Sequence, residues 1–140
     1  MPEKILVVDD EPDMLRLLNM IIKEKTPYEV TTTNNPLEAL ELAKGGSFDL
    51  LIVDLKMPGL NGIELLESVK RFDEDVPIII ITAYGTVEAA VETIRKGGFD
   101  FITKPFRKEQ ILFTVERALK WLRLERENKI LREQLKKAEG

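Results

Sequence analysis

Four short apolar runs, Ile5–Val8, Leu50–Val53, Ile78–Ile81 and Phe101–Ile102, restrict the folds open to this chain. The first three are built from Ile, Val and Leu without polar alternation, the mark of strands covered on both faces. A fifth segment, Tyr28–Thr33, alternates weakly and is more polar, as an edge strand would be. Helical patterns lie between these runs. Pro12–Lys25 carries Met14, Leu15, Leu17, Leu18, Ile21 and Ile22 at helical spacing, and Pro12 suits a first-turn position, where a missing N–H costs nothing. Pro36–Lys44 repeats the device, with Asn35 as its N-cap and Gly45-Gly46 as its stop. Gly62–Arg71 and Val87–Lys96 follow, and a last helix starts near Arg107 or Lys108 with no stop before Lys137. Strand and helix thus alternate five times. The expected fold is α/β: a doubly wound (βα)5 parallel sheet of flavodoxin-like order 2-1-3-4-5, with an extended C-terminal helix.

In such sheets the active crevice lies beyond the carboxyl ends of the strands. Asp9, Asp10 and Glu11 follow the first run, Asp54 the third, Thr82 the fourth and Lys104-Pro105 the fifth. Each has an ordinary explanation alone. Acids before Pro12 suit a helix N-terminus, and Asp54 before Leu-Lys-Met-Pro-Gly suits a turn. Their convergence on one rim is harder to explain that way. Carboxylates packed together repel, by roughly 4 kcal/mol per pair at 4 Å and an effective dielectric of 20, and a cation relieves this. Mg²⁺ takes oxygen ligands and also binds phosphoryl oxygens. Lys104 would neutralise a further phosphoryl oxygen, Thr82 would donate to another, and Asp54 would be the nucleophile of a phosphoryl transfer.

Composition narrows the chemistry. The 140 residues contain no His and no Cys, so imidazole and thiolate metal sites, disulfides and Ser-His-Asp triads are excluded, and any metal must be held by oxygen. The net charge of −4 argues against direct contact with nucleic acid. No apolar stretch reaches transmembrane length, so no membrane contact and a cytoplasmic location are expected. The phosphate loop of nucleotide hydrolases, Gly-x-x-x-x-Gly-Lys-[Ser/Thr], is missing. Asp9-Asp10-Glu11 would repel a flavin phosphate, and it lacks the Asp-x-Asp of haloacid-dehalogenase-like phosphatases.

Val7-Val8-Asp9-Asp10-Glu11, Asp54-Leu55-Lys56-Met57-Pro58-Gly59 with Gly62, Thr82-Ala83 and Lys104-Pro105-Phe106 together resemble the signature of two-component response-regulator receivers, from Lys4 to about Leu122. The resemblance implies that Asp54 accepts a phosphoryl group from the phosphohistidine of a sensor histidine kinase. It implies Mg²⁺ held by Asp10, Asp54 and the backbone carbonyl of Lys56, with Asp9 assisting through water. Thr82 and Lys104 would bind the phosphoryl group, and Lys104-Pro105 would be cis. Thr82 and Phe101 would be the switch pair, Phe101 turning inward as Thr82 moves toward phosphate. Lys56 and Tyr84 stand at positions that tune dephosphorylation. Such a protein is a phosphoacceptor rather than an enzyme turning over an external substrate. Thr82 to Thr86 and Gly98 to Phe106 look most like receivers of the NtrC class, which implies control of a sigma-54-dependent activator. A stand-alone receiver, a phosphorelay intermediate or a metal-dependent phosphatase are the other readings.

The last helix changes character near Trp121. Ile111, Leu112, Val115, Ala118, Leu119 and Leu122 form a stripe for the sheet. Trp121, Leu124, Asn128, Leu131, Leu135 and Ala138 then repeat at four-three spacing. With Trp121 at heptad position a, Asn128 and Leu135 also fall at a, and Leu124, Leu131 and Ala138 at d, a pattern for a parallel two-stranded coil. Glu127 at g faces Arg132 at e of a second chain. The expected organisation is a receiver at 1–122 and a coiled-coil linker at 123–140, pairing a homodimer and leading to an output domain absent from this chain.

Overall fold

A computed structural model describes residues 2–139. Five strands, β1 (Lys4–Val8), β2 (Glu29–Thr33), β3 (Leu50–Val53), β4 (Ile78–Thr82) and β5 (Asp100–Thr103), form one parallel sheet in the order β2-β1-β3-β4-β5. The helices are α1 (Pro12–Lys25), α2 (Pro36–Gly45), α3 (Gly62–Phe72), α4 (Val87–Arg95) and α5 (Lys108–Glu139). The 2-1-3-4-5 sheet and the long last helix agree with the sequence expectation.

The apolar runs serve two cores at once. Successive side chains of a strand point to opposite faces. Ile5, Val7, Leu50, Ile52, Ile79 and Ile81 therefore face α1 and α5, joining Leu18, Ile22, Val115 and Leu119. Leu6, Val8, Leu51, Val53, Ile78 and Ile80 face the other way, onto Ala39 of α2 and Leu65, Leu66 and Val69 of α3. Every residue of β3 and β4 is buried. β2 exposes Glu29, Thr31 and Thr32, as an edge requires.

Local chemistry sets the helix starts. Asn35 accepts from the Leu37 and Glu38 N–H groups at the head of α2. Thr86 accepts from the Ala89 N–H at the head of α4. Asn61 and Glu64 cap α3 reciprocally, at 2.9 and 3.1 Å. That Asn-x-x-Glu box is readable in the sequence and sharpens the expected start at Gly62. The acids before α1 do not cap it: Glu11 is the N-cap residue and makes no side-chain cap bond. Asp9 holds the entry instead, accepting from the Glu11 N–H at 2.9 Å.

Candidate functional site

The carboxyl ends of the strands bring the expected residues together. Asp9 and Asp10 leave β1, Asp54 leaves β3, and carboxylate oxygens of Asp9, Asp10, Glu11 and Asp54 lie within 4.8 Å of one another. Register explains this: Val8 pairs with Val53, and the Asp54 N–H donates to the Val8 carbonyl at 2.9 Å. Asp9 and Asp54 are buried, whereas Asp10 and Glu11 are exposed. The cluster thus has an inner pair and an open side. A cleft of about 350 Å³ covers that side, lined by Asp10, Glu11, Asp54, Lys56, Met57 and Tyr84 among others.

Lys104 reaches in from the end of β5. Its ammonium donates to Asp9 Oδ2 at 2.9 Å and lies 3.6 Å from Asp54 Oδ2 and 3.8 Å from Glu11 Oε1. The Lys104-Pro105 bond is cis. Burial alone would lower the Lys104 pKa, but the Asp9 hydrogen bond and the charges of Asp9, Asp54 and Glu11 raise it above the ordinary 10.5. The ammonium is therefore charged at neutral pH. One cation against four carboxylates leaves the cluster negative. An all-oxygen donor set with an open side fits a hard, partly hydrated cation such as Mg²⁺.

Thr82 ends β4 fully buried, and its hydroxyl accepts from the Tyr84 N–H at 3.1 Å. This leaves the hydroxyl proton free to donate. Lys56 follows Asp54, its N–H directed at Asp54 Oδ1 at 3.4 Å, and its ammonium lies 5.0 Å from the Tyr84 ring centroid. The two residues expected to tune the site thus meet across the cleft, a contact for which the sequence has no signal. Phe101 is not in the cluster. It is half-buried on β5, and its ring comes within 3.5 Å of where a Gly85 Cβ would stand. A side chain at Gly85 would also overlap Thr103, so the loop after Thr82 packs directly on β5.

A negative cleft with a buried acid and lysine, at the carboxyl edge of a 2-1-3-4-5 sheet, is the arrangement of a single-site α/β signalling domain. The chain belongs to the response regulator receiver domain family, whose model matches residues 5–116. It is 37 % identical over 135 residues to the nitrogen assimilation regulatory protein NtrX of Azorhizobium caulinodans, covering 95 % of this chain and 30 % of that protein. It is 37 % identical over 119 residues to the sporulation initiation phosphotransferase F of Bacillus subtilis, covering 85 % of this chain and 95 % of the relative. Among solved structures, NtrX from Brucella abortus in complex with ADP superposes with a TM-score of 0.87 at 34 % identity, over 94 % of this chain and 30 % of that one. The chain spans less than a third of NtrX and of the transcriptional regulatory protein ZraR of Klebsiella oxytoca.

Proposed function

We propose that Asp54 is the phosphoacceptor of this receiver and that its phosphorylation by a sensor histidine kinase switches the domain. The carrying observation is the buried Asp54 carboxylate beside Lys104, on the wall of an open acidic cleft. A carboxylate oxygen of Asp54 attacks phosphorus, the P–N bond to the kinase imidazole breaks with its electron pair going to nitrogen, and an acyl phosphate remains. Asp10, Asp54 and the Lys56 carbonyl would hold Mg²⁺, with Asp9 assisting through water. The ion would supply charge neutralisation for the transferring group. Lys104 then exchanges its carboxylate partners for a phosphoryl oxygen, and the free Thr82 proton donates to another. Drawing Thr82 inward pulls the loop that packs on β5 and lets Phe101 follow, which is a two-state element biased by charge. No external substrate is turned over. Incubation with acetyl phosphate is expected to label Asp54 only when Mg²⁺ is present, read by intact mass and peptide mapping. Equal labelling in excess chelator would sink the reading.

The C-terminal part of α5 is a linker that pairs two chains and leads, in a longer protein, to an output domain of the sigma-54-dependent activator kind. Exposure of Trp121, Leu124, Leu131 and Leu135 along one stripe supports the pairing, and the relatives' greater length supports the output domain. Removing Glu125–Gly140 is expected to convert a dimer to a monomer in sedimentation; an unchanged mass would count against the coil. The near full-length match to the sporulation phosphotransferase favours a second reading, a phosphorelay intermediate. No helix among the described residues is long and apolar enough to cross a membrane.

A further inference from the structure

Burial in α5 ends at Leu122, and beyond it no residue among those described is buried. Apolar packing therefore does not hold the next two turns. Charge does. Arg123 Nε donates to Glu3 Oε1 at 2.7 Å, Arg126 to Asp49 Oδ1 at 2.8 Å, and Lys129 to Asp75 Oδ2. The three acids stand just ahead of β1, β3 and β4, which are adjacent in the sheet in that order. Three helical residues advance about 4.5 Å, and neighbouring strands lie about 4.8 Å apart. Bases at every third position thus meet acids at three adjacent strand starts. Long side chains absorb the accompanying rotation.

Two of the acids are tied independently of the helix. Asp49 Oδ2 accepts from the Lys4 N–H at 2.8 Å. The loop carrying Asp75 is tied by Asp73 Oδ1, which accepts from the Asp75 and Val76 N–H groups, and by Lys70, whose ammonium donates to the carbonyls of Glu74 and Val76. Arg123 also donates to the Tyr28 hydroxyl at 3.2 Å, which donates to Glu116 at 2.9 Å. The Arg123 hydrogen bond holds the Glu3 carboxyl below its ordinary 4.5, so this rung is charged on both sides at neutral pH. At 100° per residue, the bases centre about 180° around the helix from Trp121, Leu124, Asn128, Leu131 and Leu135.

We propose that Arg123, Arg126 and Lys129 form a three-rung electrostatic clamp that fixes the exit direction of α5 against the amino edge of the sheet and turns the apolar stripe outward. These are positioning residues, and the clamp acts within one chain whether or not two chains pair. An isolated exposed ion pair contributes little; three in register act together on one rigid helix.

The absence of native cysteine allows spin labels to be placed at will. Labels at Glu41→Cys and Lys136→Cys, with labelled chain diluted into excess unlabelled chain, report intrachain distance alone. One narrow distribution is expected. The triple variant Arg123→Glu, Arg126→Glu, Lys129→Glu should broaden it about twofold or more, because the exit is then held only through Leu122. Adding Glu3→Lys, Asp49→Lys and Asp75→Lys should narrow it again. An unchanged width in the triple variant, or a folded swap that stays broad, overturns the clamp. If either set of variants fails to fold, the unmodified labelled chain in 1 M NaCl, where the Debye length is about 3 Å, replaces it: broadening supports the clamp and a constant width overturns it.

Discussion

Asp54→Asn is expected to leave no label above background after acetyl phosphate and Mg²⁺, measured by intact mass. The amide keeps the shape of the side chain, and its oxygen can still accept the weak bond from the Lys56 N–H seen at 3.4 Å. It lacks the anionic oxygen that would attack phosphorus in the proposed transfer. Stability moves the other way. Four carboxylates each place an oxygen within 4.8 Å of the others, against one lysine, so removing one charge relieves more repulsion than it loses attraction. Urea unfolding without divalent ions should show a gain of about 1–4 kcal/mol, the upper limit being one close charge pair at intermediate dielectric. The stabilising response to Mg²⁺ should shrink in parallel. Full labelling of the variant would remove Asp54 from the mechanism, and a loss of stability would mean that Lys104 depends on Asp54 for its placement.

Gly62→Ala has the largest expected effect of any change outside the acids. A Cβ at Gly62 would overlap the Asp54 carbonyl oxygen and stand 2.9 Å from the Leu55 Cα. Both obstacles are backbone, so no rotamer change relieves them. The Gly62 N–H also donates to the Leu55 carbonyl at 2.8 Å, which pins the start of α3 to the segment carrying Asp54. Loss of about 3 kcal/mol or more is expected, with slower labelling of Asp54 because that segment must shift. Gly45→Ala is the control. Nothing stands within 4 Å of its Cβ, and alanine at a helical position should stabilise by about 0.5–1 kcal/mol. Equal effects at the two positions would refute the steric argument.

The contrast shows what sequence can carry. The apolar runs at Ile5, Leu50 and Ile78 identify central strands because burial on both faces leaves no polar option. Pro12 and Asn35 mark helix starts by local chemistry, and α1 begins and ends where its pattern does. Boundaries blur where polar residues enter a strand: Asp100 and Thr103 belong to β5, although the apolar pattern covers only Phe101 and Ile102. The gathering of Asp9, Asp10, Asp54, Thr82 and Lys104 is legible because strand ends share one rim. That Lys104 is held by Asp9 is not, since the two lie 95 residues apart. The pairing of Lys56 with Tyr84 and of the α5 bases with Glu3, Asp49 and Asp75 is equally invisible. Solvated charges carry no periodic signature, and their partners are chosen by tertiary geometry.

The unbroken run of α5 from Lys108 to Glu139 has a mechanical consequence. From Arg123 to its far end the helix projects about 24 Å at 1.5 Å per residue. A tilt of about 10° at the sheet would carry the tip some 4 Å sideways, about three-quarters of the pitch of a helical turn. The domain therefore carries a lever arm: an atomic-scale adjustment beside Phe99 and Trp121, whose rings lie 6.0 Å apart, becomes a displacement at the tip large enough to change which residues of an adjoining surface meet.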